Sequence, residues 1–181
     1  MPTESVSTPR LRRIAAGMST ATVVLAILLL AAAIYIAVDG TAFGEALRDG
    51  PVAGGTLSIA PTLRTVAIVL GLPTLALILW SLWNAFWLFR AYRAGEIVSL
   101  DIGRRIRRMG GTLVAFPIVS TVTNVLTGIV VTWDSGEGQR QVSLSISSEA
   151  VIMAITGAIL IMVGRSMVEA ARIADENRQF V

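Results

Sequence analysis

The sequence predicts an all-α membrane protein of four transmembrane helices, with helical extensions into the cytoplasm and a small two-stranded sheet on the outer face. Three observations lead there. The 181 residues are 54% hydrophobic and only 15% charged, with a mean hydropathy of +0.73, well outside the range of a soluble domain. Three uncharged stretches exceed the roughly 20 residues that a helix needs to cross a hydrocarbon core of about 30 Å, and a shorter fourth follows them. Arginine is distributed unequally between alternate connecting segments, which is a topology signal.

The composition also excludes chemistry. With no histidine and no cysteine in the chain, imidazole and thiol catalysis, zinc and haem ligation, disulfides and redox switching are all removed, and no cofactor is expected. All 15 basic residues are arginine, a bias that GC-rich codons produce and that points to a bacterial source. The high isoelectric point follows from arginine rather than from nucleic-acid binding.

Residues 1–17 read as a cytoplasmic tail whose Arg10, Arg12 and Arg13 resemble the start of a signal peptide. The apolar run that follows, from Met18 to Val38, is too long for an ordinary signal sequence and reads as an uncleaved anchor. The second and third spans, Thr65 to Phe89 and Gly110 to Trp133, contain no charge. The fourth has only 15 uncharged residues, Ala150 to Gly164, and extends over 148–168 with Glu149 and Arg165 snorkelling to opposite interfaces. Three arginines in the N-terminal tail, six from Arg90 to Arg108 and three from Arg165 onward face only Arg48, Arg64 and Arg140 on the other side. The protein is therefore expected in the bacterial inner membrane with both termini cytoplasmic.

Six of the eleven aromatic residues, Trp80, Trp83, Phe86, Trp87, Phe89 and Tyr92, gather at the inner end of the second span. An interfacial belt accounts for them, and an aromatic ligand pocket is the sharper alternative. In the outer segments, Thr56 to Ile59 and Gln141 to Ile146 alternate polar and apolar residues at the period of a half-buried strand. They read as a two-stranded sheet resting on the helix tops, or as loops without regular structure.

The cytoplasmic loop 90–109 carries the densest charge. Ser99 or Asp101 can cap a helix in which Ile102, Ile106 and Met109 share one face, while Arg104, Arg105, Arg107 and Arg108 occupy the others. Topology explains such a cluster beside a membrane; contact with anionic lipid or with a partner are the sharper readings, and direct nucleic-acid binding is not expected. Where the fourth helix runs on into the tail 169–181, Arg165 with Glu169 and Arg172 with Glu176 stand at i, i+4 and Asp175 with Arg178 at i, i+3, as on a solvated helix face. Glu96, Asp101, Glu169, Asp175 and Glu176 are the acids nearest the loop arginines, and some are expected to pair with them across the two segments.

The stretches RAGEIVSLDIGRRIRRMG and VEAARIADENRQFV resemble the two signatures of an uncharacterised bacterial family of small four-helix membrane proteins, a domain of unknown function. Gly95-Glu96-Ile97, the arginines of 104–108, Gly110 and Glu176-Asn177 match; Val98 replaces a usual phenylalanine, Ile102 a usual asparagine, and Arg178-Gln179-Phe180 departs from the usual ending. The resemblance implies four helices and a small helix-turn-helix regulator as a candidate soluble partner. It implies no activity.

Inside the three clear spans only neutral polar groups remain. Ser120, Asn124 and Thr127 fall on one stripe of the third helix and Asn84 lies in the second, all expected to serve helix packing. Ala150, Ala154 and Ala158, and Ala67 with Gly71, repeat every four residues, as at close helix contacts. Pro73 and Pro117 free the carbonyls of Val69 and Leu113, the second of which the Asn84 amide is placed to satisfy. No catalytic motif accompanies the serines and acids, so an enzyme is not expected. The reading that follows is a structural or regulatory membrane protein that engages a soluble cytoplasmic partner through its arginine-rich loop and C-terminal helix. The alternative is a small solute or lipid transporter, acting as an oligomer. Topology can be checked directly: a cytoplasmic reporter fused after Val181 should be active, and a periplasmic signal there would make the fourth segment re-entrant.

Overall fold

The computed structural model describes residues 9–40, 42, 61–95, 99–131 and 148–179, and these form four long helices. They are α1 (Pro9–Val38), α2 (Pro61–Arg93), α3 (Leu100–Val131) and α4 (Ser148–Gln179). Each contains a segment long and apolar enough to cross a membrane, so the chain is a multi-pass helical membrane protein. No strand occurs among the described residues, and both segments expected to form the outer sheet, 56–59 and 141–146, lie outside them.

The helix ends follow local chemistry. Ser99 caps α3, its Oγ accepting a hydrogen bond from the Ile102 amide at 3.3 Å while its carbonyl accepts from Gly103. At the end of α2, Gly95 takes a left-handed backbone (φ 90°), which only glycine adopts without strain. The amides of Ala94 and Gly95 turn back onto the carbonyls of Arg90 and Tyr92 at 3.1 Å.

Neighbours in sequence are neighbours in space, in an antiparallel row α1–α2–α3–α4, with no backbone contact between helices further apart in order. α1 meets α2 through small residues at i, i+4 and i+7, the buried Ala15, Ser19 and Thr22. The hydroxyls of Ser19 and Thr22 donate to their own helix, to Ala16 and Met18, so neither leaves a polar hydrogen bare in lipid. At the opposite end Arg64 of α2 donates to the Ala37 carbonyl at 2.6 Å, placing a cation on the negative end of α1. Between α2 and α3, Thr74 donates to Thr123 and Thr123 to the Leu70 carbonyl, each at 3.3 Å.

The closest packing is between α3 and α4. A Cβ placed on Gly110 would lie 2.6 Å from the Gly157 carbonyl oxygen, and one on Gly157 2.7 Å from the Gly110 oxygen. A heptad away, Gly103 and Gly164 meet in the same way, at 2.9 and 2.7 Å. Backbones approach this closely only where side chains are absent, and a stride of seven keeps one seam facing the partner as two helices wind together. The same track continues in α4 through Ala150 and the buried Ala171. The expected four-residue alanine repeat is corrected here: Ala158 faces outward, and glycines at heptad spacing make the contact. Of the other pair, Ala67 is buried, while a Cβ added at Gly71 would meet nothing within 4 Å.

This pairing fixes the depth of α4. With Gly157 level with Gly110, only nine residues separate Gly157 from the start of α4 at Ser148, whereas α3 continues for 21 to Val131. At 1.5 Å per residue, α4 begins about 18 Å short of the end of α3. It starts level with the middle of the uncharged run of α3. Adjacent glycines test the seam. Gly110→Ala should cost about 1–3 kcal/mol in unfolding from detergent micelles. Gly111→Ala, with open space around its Cβ, should be neutral or stabilising by a few tenths up to about 1 kcal/mol.

Candidate functional site

The charged ends of α3 and α4 project together from the arginine-rich end of the row. Ile102 is completely buried and Ile106 nearly so, packed with Leu88 of α2 and flanked by Met109, Leu160 and Met167. That apolar face holds the first three turns of α3 against its neighbours, and the Gly103–Gly164 contact lies within the same charged stretch. Arg104, Arg107 and Arg108 are thereby turned outward and exposed. Glu169, Arg172, Asp175 and Glu176 are exposed along α4, on either side of the buried Ala171.

The ion pairs differ from the cross-segment pairing expected. Arg104 meets Asp101 of its own helix at 3.7 Å, and Arg172 meets Glu169 at 3.0 Å and Glu176 at 3.5 Å within α4. Among the described residues no carboxylate of α4 pairs with Arg104, Arg105, Arg107 or Arg108. The geometry explains this: the Gly103–Gly164 register leaves Glu169 and Glu176 about 9 Å and more beyond the arginine level along the axis, at 1.5 Å per residue. Exposed pairs of this kind contribute about 0–1 kcal/mol, so the arginines keep most of their charge available.

Arg105 is placed differently. Its guanidinium lies over the Trp87 ring at 5.6 Å, and Arg90 lies over the same ring at 4.9 Å. Trp87 is in turn edge-on to Trp83 and Phe86, each at 5.9 Å between centroids. The aromatic cluster thus acts as a support for two cations at the membrane boundary, with Trp80 and Trp83 more than half exposed as an interfacial belt requires. The belt is legible in the sequence, whereas this cation-bearing ring was missed, although the spacing Trp87 to Arg90, one helical turn, signals it.

The neutral polar residues do not converge. Asn84, 2% exposed, donates its amide to the Trp80 carbonyl of its own helix at 2.8 Å, not to the carbonyl of Leu113, which corrects the expectation. Asn84 and Asn124 do not pair, and Thr74 of α2 instead meets Thr123, the neighbour of Asn124. Ser120 and Thr121 donate to the Pro117 carbonyl at 3.2 and 2.7 Å. Ser120 and Thr127 are half-buried and Asn124 is exposed. Asn124 lies two heptads beyond Gly110 on the α4-facing track, above the level at which α4 begins, so no described helix covers it. It is not a packing residue between described helices, contrary to expectation.

Among the described residues no cluster of three or more acids has the geometry to hold a metal. Compared with known proteins, the chain matches no family model, no curated protein and no solved structure. A double-mutant cycle tests the ion-pair pattern: Arg172 with Glu169 should couple by a few tenths of a kcal/mol, about 0.3–0.5, and Arg104 with Glu169 by none. A larger coupling for the second pair would restore a direct bridge between the two segments.

Proposed function

We propose that the protein is a structural or regulatory component of the bacterial inner membrane, with both termini cytoplasmic, that docks a soluble partner on the charged end of its α3–α4 hairpin. One observation carries this reading: the glycine contact at Gly103 and Gly164 continues the rigid seam into the charged stretch. Two exposed helix faces are therefore held in fixed relation, with Arg104, Arg107 and Arg108 on one and Glu169, Arg172 and Glu176 on the other. A fixed array of opposite charges serves recognition better than two mobile tails, because like-charge juxtaposition rejects wrong partners. The resemblance of these two segments to the signature stretches of a four-helix family makes a small helix-turn-helix regulator the first candidate. Anionic lipid competes for the same arginines, which makes the docking sensitive to salt and to membrane composition.

The transporter alternative drew on the polar stripe of α3. Asn84 is satisfied within its own helix and Asn124 is exposed, so these groups do not form one lining, and no enzymatic role is proposed. A photo-cross-linker at the exposed Ala170 or Ala174, used in native membranes, should capture one soluble protein. Reversing Arg104, Arg107 and Arg108 to glutamate should abolish the capture. Capture unaffected by the reversal, or solute flux in proteoliposomes that Asn124→Ala abolishes, would overturn the reading.

A further inference from the structure

At the arginine-rich end, between α1 and α2 and away from the α3–α4 seam, a crevice of about 380 Å³ is lined, among the described residues, by Ser19, Phe86, Arg90, Arg93 and Ala94. We infer that this crevice is a binding site for the phosphate headgroup of an anionic phospholipid. Four observations support it. Two guanidiniums line one concave space, and guanidinium matches a phosphate through parallel N–H···O bonds. Arg90 and Arg93 directly follow the uncharged run that ends at Phe89, which sets them at headgroup depth. Arginines serving topology alone need no cavity.

Charge balance adds to this. Arg90 shares the Trp87 ring with Arg105, and neither arginine has a carboxylate partner among the described residues. Two cations gathered on one ring leave uncompensated positive charge that a bound anion offsets. Three carbonyls of the last turn of α2, those of Arg90, Ala91 and Tyr92, already accept from Ala94 and Gly95, which lessens the opposition of that helix end to an anion. Finally, the crevice has a built floor. Ser19 is buried and small, with its hydroxyl committed to the Ala16 carbonyl, so it supplies room, while Phe86 gives an apolar wall for the glycerol and first methylenes.

A soluble phosphate ester presents the same chemistry, and the test separates the two sources. Native mass spectrometry of the full chain in detergent, titrated with phosphatidylglycerol or phosphatidylcholine, reads the bound lipid directly. Phosphatidylglycerol should bind and phosphatidylcholine should bind much more weakly. Arg90→Gln with Arg93→Gln should weaken phosphatidylglycerol binding by about tenfold or more, given the contribution of each arginine near an anionic surface. Ser19→Leu, which fills the floor without changing charge, should weaken it comparably. Arg165→Gln with Arg172→Gln removes the same charge from exposed positions of α4, which does not line the crevice, and should leave binding within about twofold, since exposed charges are screened by salt. Equal losses from the two arginine pairs, or unchanged binding by Ser19→Leu, would overturn the crevice as the site. Displacement of the lipid by millimolar inorganic phosphate would overturn the assignment to lipid.

Discussion

Everything else in this fold is arranged around the backbone contact of Gly103 and Gly110 with Gly164 and Gly157. In lipid, helices gain little from hiding apolar side chains, so association depends on close packing and on polar contacts. Four glycines on two heptad tracks let the α3 and α4 backbones approach until a single added methyl group would collide with carbonyl oxygens and amide nitrogens. That contact has only one good register. Sliding α4 by a turn would oppose glycine with isoleucine or valine, so depth and azimuth are set together.

Two consequences of that register matter for function. Toward the arginine-rich end, the seam reaches into the charged stretch and makes the projecting helices one rigid unit. Toward the other end, α4 starts level with the middle of the uncharged run of α3, leaving the Ser120, Asn124 and Thr127 stripe uncovered by it. The polarity of that stripe and the shortness of the fourth apolar run therefore have a common origin. α1 stands apart from this unit. Among the described residues it meets only α2, by the stripe of Ala15, Ser19 and Thr22 and by Arg64 at the far end, and the crevice with Arg90 and Arg93 opens beside that looser pairing.

Much of this was legible in the residues. Uncharged runs marked all four helices because the bilayer imposes a length and forbids unpaired charge, and Ser99 and the Ile102, Ile106, Met109 face announced the entry to α3. The heptad of Ala150, Gly157, Gly164 and Ala171 was equally visible but competed with a four-residue alanine repeat of the same composition. Choosing between them needs the partner, since only Gly103 and Gly110, seven apart on the other helix, make a stride of seven the matching one. Asn84 misled for a similar reason: a buried amide can be satisfied at home, on Trp80, as well as across an interface. Ion pairs between loop and tail looked natural from charge alone, whereas the glycine register holds the acids of α4 below the arginines of α3. Ile102, completely buried with Leu88 and Ile106, makes the start of α3 an apolar core contact within a charged stretch.

The measurement that bears most directly on this account is the axial register of α3 and α4 in a bilayer. The chain contains no cysteine, so spin labels can be placed in pairs, one at Arg108 and the other at Ile155, Met162 or Glu169, which are all exposed at a stride of seven along α4. The glycine register predicts the shortest label-to-label distance for the pair at 108 and 162. If the distance were shortest for 108 and 169, the two uncharged runs would be aligned midpoint to midpoint, and neither the rigid charged hairpin nor the half-depth start of α4 would survive.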